Sequence, residues 1–189
     1  MASFTAVFDA CVLYPAHLRD LLMSVAMRDQ FRAKWTVEIQ KEWVNNLLEN
    51  RPDLKVEQLQ WTVEQMNKAV PDCLVENYEE IIDSLEPPDP NDRHALAAAI
   101  MCQADVIVTS NLKDFPREIV DKYHIDVQSP DTFLNHLFDL NPGAFARAVH
   151  EQRQRLHNPE CSAEALLDIL YKQGSPMTVN KLKNVIDLL

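Results

Sequence analysis

Only two glycines, Gly143 and Gly174, occur in 189 residues, and both lie in the last third of the chain. Wherever the first 142 residues turn, they turn on residues that carry a side chain. A loop that wraps its backbone around a phosphate needs glycines at fixed spacing, so P-loop nucleotide hydrolases and dinucleotide-binding Rossmann enzymes are excluded. No G-x-S-x-G elbow is present, and none of the cysteines has an evident histidine partner, which leaves nucleophilic hydrolase chemistry without support. Carboxylates remain: 29 Asp and Glu stand against 18 Lys and Arg, a net charge of −11.

Residues 4–8 are aromatic and β-branched with one alanine and end at Asp9, the pattern of a buried strand. Beyond the Tyr14-Pro15 break, Leu18, Leu21, Leu22 and Val25 recur at helical spacing on a segment that also carries Arg19 and Arg28. A second helix follows from Thr36. In it Ile39, Trp43 and Leu47 fall four apart, and Glu38 and Glu42 sit one turn apart, competing for one role. Val56, Leu59, Val63, Met66 and Val70 predict a structural helix that Pro71 ends. The turn-rich stretch 86–92 then feeds an alanine-rich helix over 93–103, which puts Asp92 at a helix N-terminus. Val106, Ile107 and Val108 predict a second buried strand, residues 110–114 a polar loop at its C-terminal end, and residues 125–128 a further short strand. From Pro130 onward the pattern is helical over 131–138, 144–156, 163–171 and 179–188, with breaks around Pro142-Gly143 and Gly174-Ser175-Pro176.

This alternation predicts an α/β fold with a central parallel sheet between helices, over 1–140, and a helical C-terminal extension over 141–189. A chain of this length buries about 70% of its unfolded surface, enough for one sizeable core. Apolar runs never approach the ~20 residues of a membrane span, and the N-terminus lacks a basic opening, so a cytoplasmic protein without membrane contact is expected. The four cysteines are scattered and are expected to be free thiols, and the six histidines are assigned no chemistry. Parallel sheets bind ligands beyond the carboxyl ends of their strands. Asp9 and the Asn111/Asp114 loop fall there, and Asp92 opens the helix leading into the second strand.

A charge of −11 argues against holding nucleic acid by bulk electrostatics, unless the acids gather where divalent cations bind and invert the local field. Carboxylates in one cleft repel each other, and a shared cation resolves that conflict. Magnesium and manganese take oxygen ligands, keep waters that can attack a phosphodiester, and neutralise charge developing on phosphate.

The segments Phe8-Asp9-Ala10-Cys11-Val12-Leu13-Tyr14-Pro15, Glu42, Asp89-Pro90-Asn91-Asp92-Arg93-His94-Ala95-Leu96-Ala97-Ala98-Ala99 and Val108-Thr109-Ser110-Asn111-Leu112-Lys113-Asp114-Phe115-Pro116, in this order and spacing, resemble a PIN domain, the nearest relatives being bacterial VapC-like toxins. The similarity covers roughly residues 3–138. It implies a PIN-like α/β/α sandwich and a Mg2+- or Mn2+-dependent endoribonuclease. It further implies the toxin half of a toxin–antitoxin pair, active as a homodimer on RNA and silenced by a protein antitoxin. By resemblance Asp9, Glu42, Asp92 and Asp114 are the catalytic set, with metal ligation on Asp9, Asp92 and Asp114 and with Glu42 holding the metal or its water. Many relatives carry aspartate where this chain has Asn111, with Asp114 three residues further on, and an amide oxygen can ligate weakly or orient a water. Asn111 is therefore a secondary site candidate, and Arg19, Arg93 and Lys113, close in sequence to the site, are candidate contacts to RNA phosphates.

Each residue also has a plainer reading. Asp9 could satisfy backbone N–H groups in a turn. Asp92 could be a helix-end acid with Asp89 or Asn91 as cap. Glu38 and Glu42 could be solvated, Asp114 an ordinary loop acid, and the cations surface charges. Two other classes remain. An aspartyl-phosphate phosphatase or receiver protein also places an aspartate after its first strand, although Cys11 stands where the phosphatase pattern wants a second acid. A catalytically inactive PIN-like binding scaffold is the other.

Overall fold

Strands β1 (Thr5–Phe8), β2 (Arg32–Lys34), β3 (Val106–Val108) and β4 (Asp126–Gln128) pair in the order β2-β1-β3-β4, all parallel, in a computed structural model that describes residues 4–85, 92–157 and 159–189. Every residue of β1 and β3 is buried, as central strands covered on both faces must be. In the register, Phe8 lies opposite Val108, so Asp9 and Thr109 leave the sheet side by side. The Asp9 N–H donates to the Val108 carbonyl at 3.1 Å and extends the pairing by one step.

The helices are α1 (Ala10–Leu13), α2 (Ala16–Ala26), α3 (Val37–Asn50), α4 (Val56–Ala69), α5 (Glu79–Ile82), α6 (Arg93–Met101), α7 (Arg117–Val120), α8 (Pro130–Leu140), α9 (Pro142–Arg155), α10 (Ala163–Lys172) and α11 (Pro176–Lys183). Thr36 starts α3 as its N-cap, its hydroxyl accepting the Ile39 N–H at 3.0 Å, and Ile39 and Trp43 then face the core. In α6 the residues Ala95, Ala97, Ala98 and Ala99 are fully buried; short side chains let this helix approach β1 and β3 closely. An aromatic cluster completes the core, where Phe31 and Phe133 meet edge to face at 5.0 Å and Phe8 stacks near Trp35 at 6.4 Å.

The expected parallel α/β sheet flanked by helices, followed by C-terminal helices, is the observed fold. Several elements differ. Strand β2 and the short helices α1, α5 and α7 had no readable pattern. The Pro142-Gly143 break is a helix start: Asn141 caps α9 by accepting the Ala144 N–H at 3.0 Å, and Pro142 takes a first-turn position, where a missing N–H costs nothing. The helix read over 179–188 runs instead from Pro176 to Lys183, followed by a tight turn at Ile186–Leu188. The turn-rich residues 86–91, with the candidate caps Asp89 and Asn91, lie outside the described residues. With no glycine available, Asp29, Asp72, Asn77, Gln103 and His124 take left-handed conformations with φ between 52° and 60°.

The C-terminal helices hold α2. Pro15 offers no side-chain cap, and the Leu18 N–H donates instead to Gln173 Oε1 at 2.9 Å, at the end of α10. Gln152 of α9 donates to the His17 carbonyl at 2.8 Å, Arg155 bonds Asp20 and Ser24, and Arg28 pairs with Glu151.

Candidate active site

Asp9 caps α1 from an extended backbone (φ −74°, ψ 156°) and is only 4% exposed. Its Oδ1 accepts the Ala10 N–H at 2.7 Å. Its Oδ2 accepts the Thr109 hydroxyl at 2.7 Å and the Cys11 thiol at 3.0 Å. A carboxylate has about four acceptor positions, so three are filled and the spare one lies on Oδ1. Burial, and next the charge of Asp9, push the Cys11 thiol up to about 12, which keeps it protonated and donating.

Glu42 reaches the same corner from α3. Its Oε2 lies 3.4 Å from Nε2 of His94 on α6. Burial alone lowers the His94 pKa, but the hydrogen bond to Glu42 and the charges of Glu42, Asp9 and Glu38 outweigh it, and the imidazole titrates above its usual value. His94 thus senses carboxylates from β1 and α3 together, a sign that the corner favours positive charge. Of the two competing glutamates, Glu42 meets His94, whereas Glu38 lies 3.8 Å from Lys41 on the exposed face.

Asp92 is the N-cap residue of α6, two positions before His94, and its side chain makes no capping bond to the helix. Arg93 beside it is half-buried, with Nε enclosed and without a hydrogen-bond partner among the described residues. In the loop after β3, the Asn111 N–H donates to Thr109 Oγ1 at 3.0 Å, and the Asn111 carbonyl accepts the Asp114 N–H at 3.0 Å, closing the turn Leu112–Asp114. Asn111 and Lys113 are exposed and Asp114 is half-buried.

Arg19, expected as a substrate contact, turns inward. It is 9% exposed, donates to the Leu13 carbonyl at 2.6 Å, and lies over the Trp43 ring at 4.5 Å from the centroid. Its guanidinium packs the α1–α2 junction onto α3.

Three contributors escaped the sequence reading. Cys11 lies two residues after Asp9, and a helical turn folds its side chain back onto that acid. Thr109 is placed by the β1–β3 register, legible once both strands are paired. His94 meets Glu42 across 52 positions of sequence, and nothing local announces that contact.

The donors here are carboxylate oxygens, the kind magnesium and manganese prefer, and the charge felt by His94 makes a cation welcome. Among the described residues no three His, Cys, Asp or Glu side chains gather at metal-binding separations, so the acids do not form a ready-made cage. By donor chemistry the residues fit a divalent cation.

Residues 5–113, more than half of the chain, match the PIN domain family. The chain belongs to the PIN-domain family. Within this PIN-domain protein, residues 130–184 match a second family, the VapC50 C-terminal domain. A relative named "Putative ribonuclease VapC50", from Mycobacterium tuberculosis (strain ATCC 25618 / H37Rv), is 39% identical over 82 residues, 43% of this chain and 48% of the relative. The match thus spans about half of that relative's length. No solved structure matches the chain. Among the described residues no helix is long and apolar enough to cross a membrane.

Proposed function

We propose that this PIN-domain protein is a Mg2+- or Mn2+-dependent endoribonuclease and the toxin of a toxin–antitoxin pair, working as a homodimer and silenced by a protein antitoxin. The observation that carries the reading is the contact of Glu42 with His94, whose imidazole also feels the charge of Asp9 at the carboxyl end of β1. The relative named as a ribonuclease points the same way.

When bound, the cation supplies an activated water and neutralises charge on the phosphate. The protein's residues set where this happens. Asp9, held by three donors, would offer the cation a carboxylate oxygen, and Asp92 and Asp114 would complete the ligand set. Glu42, itself steadied by His94, would orient a water or share the cation. Exposed Asn111 and half-buried Arg93 line the approach of the RNA backbone.

Labelled RNA incubated with Mg2+ or Mn2+ tests this. Cleavage should disappear with EDTA and fall on the order of 100-fold or more in Asp9→Asn, which removes a charge at nearly constant shape. In cells, expression of the wild type should halt growth and Asp9→Asn should not. Intact RNA of varied sequence, together with no calorimetric metal binding, would promote the inactive scaffold.

A further inference from the structure

Asp9 and the loop after β3 belong to different elements, and two side chains bridge them: Thr109 at the end of the strand, and Cys11 from α1. Cys11 Sγ lies 3.0 Å from Asp9 Oδ2, 3.3 Å from Thr109 Oγ1 and 3.2 Å from the Ser110 backbone nitrogen. A thiol has one proton to give and sulfur lone pairs to offer. The ionised Asp9 oxygen is the strongest acceptor in reach, so the S–H points there. The Ser110 N–H donates in turn to the sulfur.

The neighbouring groups leave little freedom in this arrangement. The Thr109 hydroxyl donates to Asp9 Oδ2 at 2.7 Å and receives the Asn111 N–H at 3.0 Å. Oδ2 is therefore held by two donors and Oδ1 by the Ala10 N–H at 2.7 Å. Without the thiol, Oδ2 keeps one donor and the loop loses its tie at Ser110, while the tie at Asn111 survives.

We infer that Cys11 is a positioning residue: its thiol fixes the Asp9 carboxylate and tethers the 110–114 loop, so that acids from the ends of β1 and β3 face one cation in a set relation. The consequence for the cation rests on the nuclease reading; the tether between the two loops does not. Hydrogen-bonded partners behind metal ligands typically change metal affinity by about 10- to 100-fold when removed. Serine keeps a donor and an acceptor at this position, whereas alanine keeps neither.

The test compares wild type, Cys11→Ser and Cys11→Ala by three readouts: amide hydrogen exchange at Ser110, Mn2+ affinity by calorimetry, and cleavage kinetics on RNA. Alanine should speed Ser110 exchange, weaken Mn2+ binding about tenfold and lower kcat with KM nearly unchanged, and serine should recover most of each. Equal Ser110 exchange and equal Mn2+ affinity in wild type and Cys11→Ala would overturn the inference. A wild type that neither binds Mn2+ nor cleaves RNA would sink the nuclease reading, while Ser110 exchange still decides the tether. Should Cys11→Ala not fold, the infrared S–H band decides instead. In wild-type protein the Cys11 band, identified by its loss in Cys11→Ser, should lie at lower frequency than that of Cys161; equal frequencies would refute donation to Asp9.

Discussion

The carboxylate of Asp131, in the first turn of α8, accepts the backbone N–H groups of Met177 and Thr178, each at 2.9 Å, and the Thr178 hydroxyl at 2.8 Å. It caps α11 from another helix, because the residue in the cap position of α11, Ser175, makes no side-chain capping bond. Asp131 is 6% exposed and Thr178 fully buried, so truncation leaves donors without water.

Asp131→Ala should therefore lower the unfolding free energy by about 2–3 kcal/mol, and Asp131→Asn, which keeps one acceptor oxygen, by less. Urea denaturation measures both. An unmoved midpoint in the alanine variant would show that the cap contributes nothing.

Arg19→Met should cost about 2–3 kcal/mol, because it removes the stacking on Trp43 and leaves the buried Leu13 carbonyl without its donor. Burial lowers the Arg19 pKa to about 10, which still leaves it charged at neutral pH. Under the nuclease reading, a packing role leaves KM for RNA and its salt dependence at wild-type values under conditions where the variant remains folded. A flattened salt slope would restore Arg19 as a phosphate contact.

How much of this was legible beforehand depended on the range of the signal. Strand β1 announces itself through aromatic and β-branched residues, β3 through an unbroken apolar run, and α3 through Thr36 and the four-residue spacing of Ile39, Trp43 and Leu47. Strand β2 is Arg32-Ala33-Lys34: three residues with one buried side chain show no period. Asp9 was readable because a strand end is a local event. That Arg19 packs inward, and that His94 meets Glu42, depends on how helices cross, and a single sequence does not encode crossing in any local pattern.

Burial pushes the Cys73 thiol up to about 11, and burial with the Asp9 charge takes Cys11 to about 12, against an ordinary 9.0. Above pH 9 the unfolded chain loses these protons while the folded chain keeps them. Stability from this source is thus fully present below pH 9 and declines as pH rises toward 11–12. At pH 8, iodoacetamide should label neither residue in native protein and both in urea, as peptide mass spectrometry would show. Rapid native labelling of Cys11 would contradict a half-buried thiol held protonated by burial and the Asp9 charge.

Gln103, just past the Cys102 C-cap of α6, has φ 52°, a conformation that favours glycine. Gln103→Gly should raise stability by a few tenths to about 1 kcal/mol, relief of strain exceeding the entropy gained by the unfolded chain. Thermal unfolding would read the gain; a lower midpoint would mean the glutamine side chain contributes contacts worth more than the strain.

Because the first turn of α2 is closed by Gln173 and its His17 carbonyl by Gln152, the C-terminal helices cannot be inherited as an interchangeable module. A recombination that grafted another tail onto residues 1–140 would have to bring hydrogen-bonding side chains to the places those glutamines occupy. Otherwise the graft would strand backbone groups on a helix that begins two residues after α1, the turn that Asp9 caps. The tail is therefore constrained by what α2 needs, at a distance from any residue proposed to touch RNA.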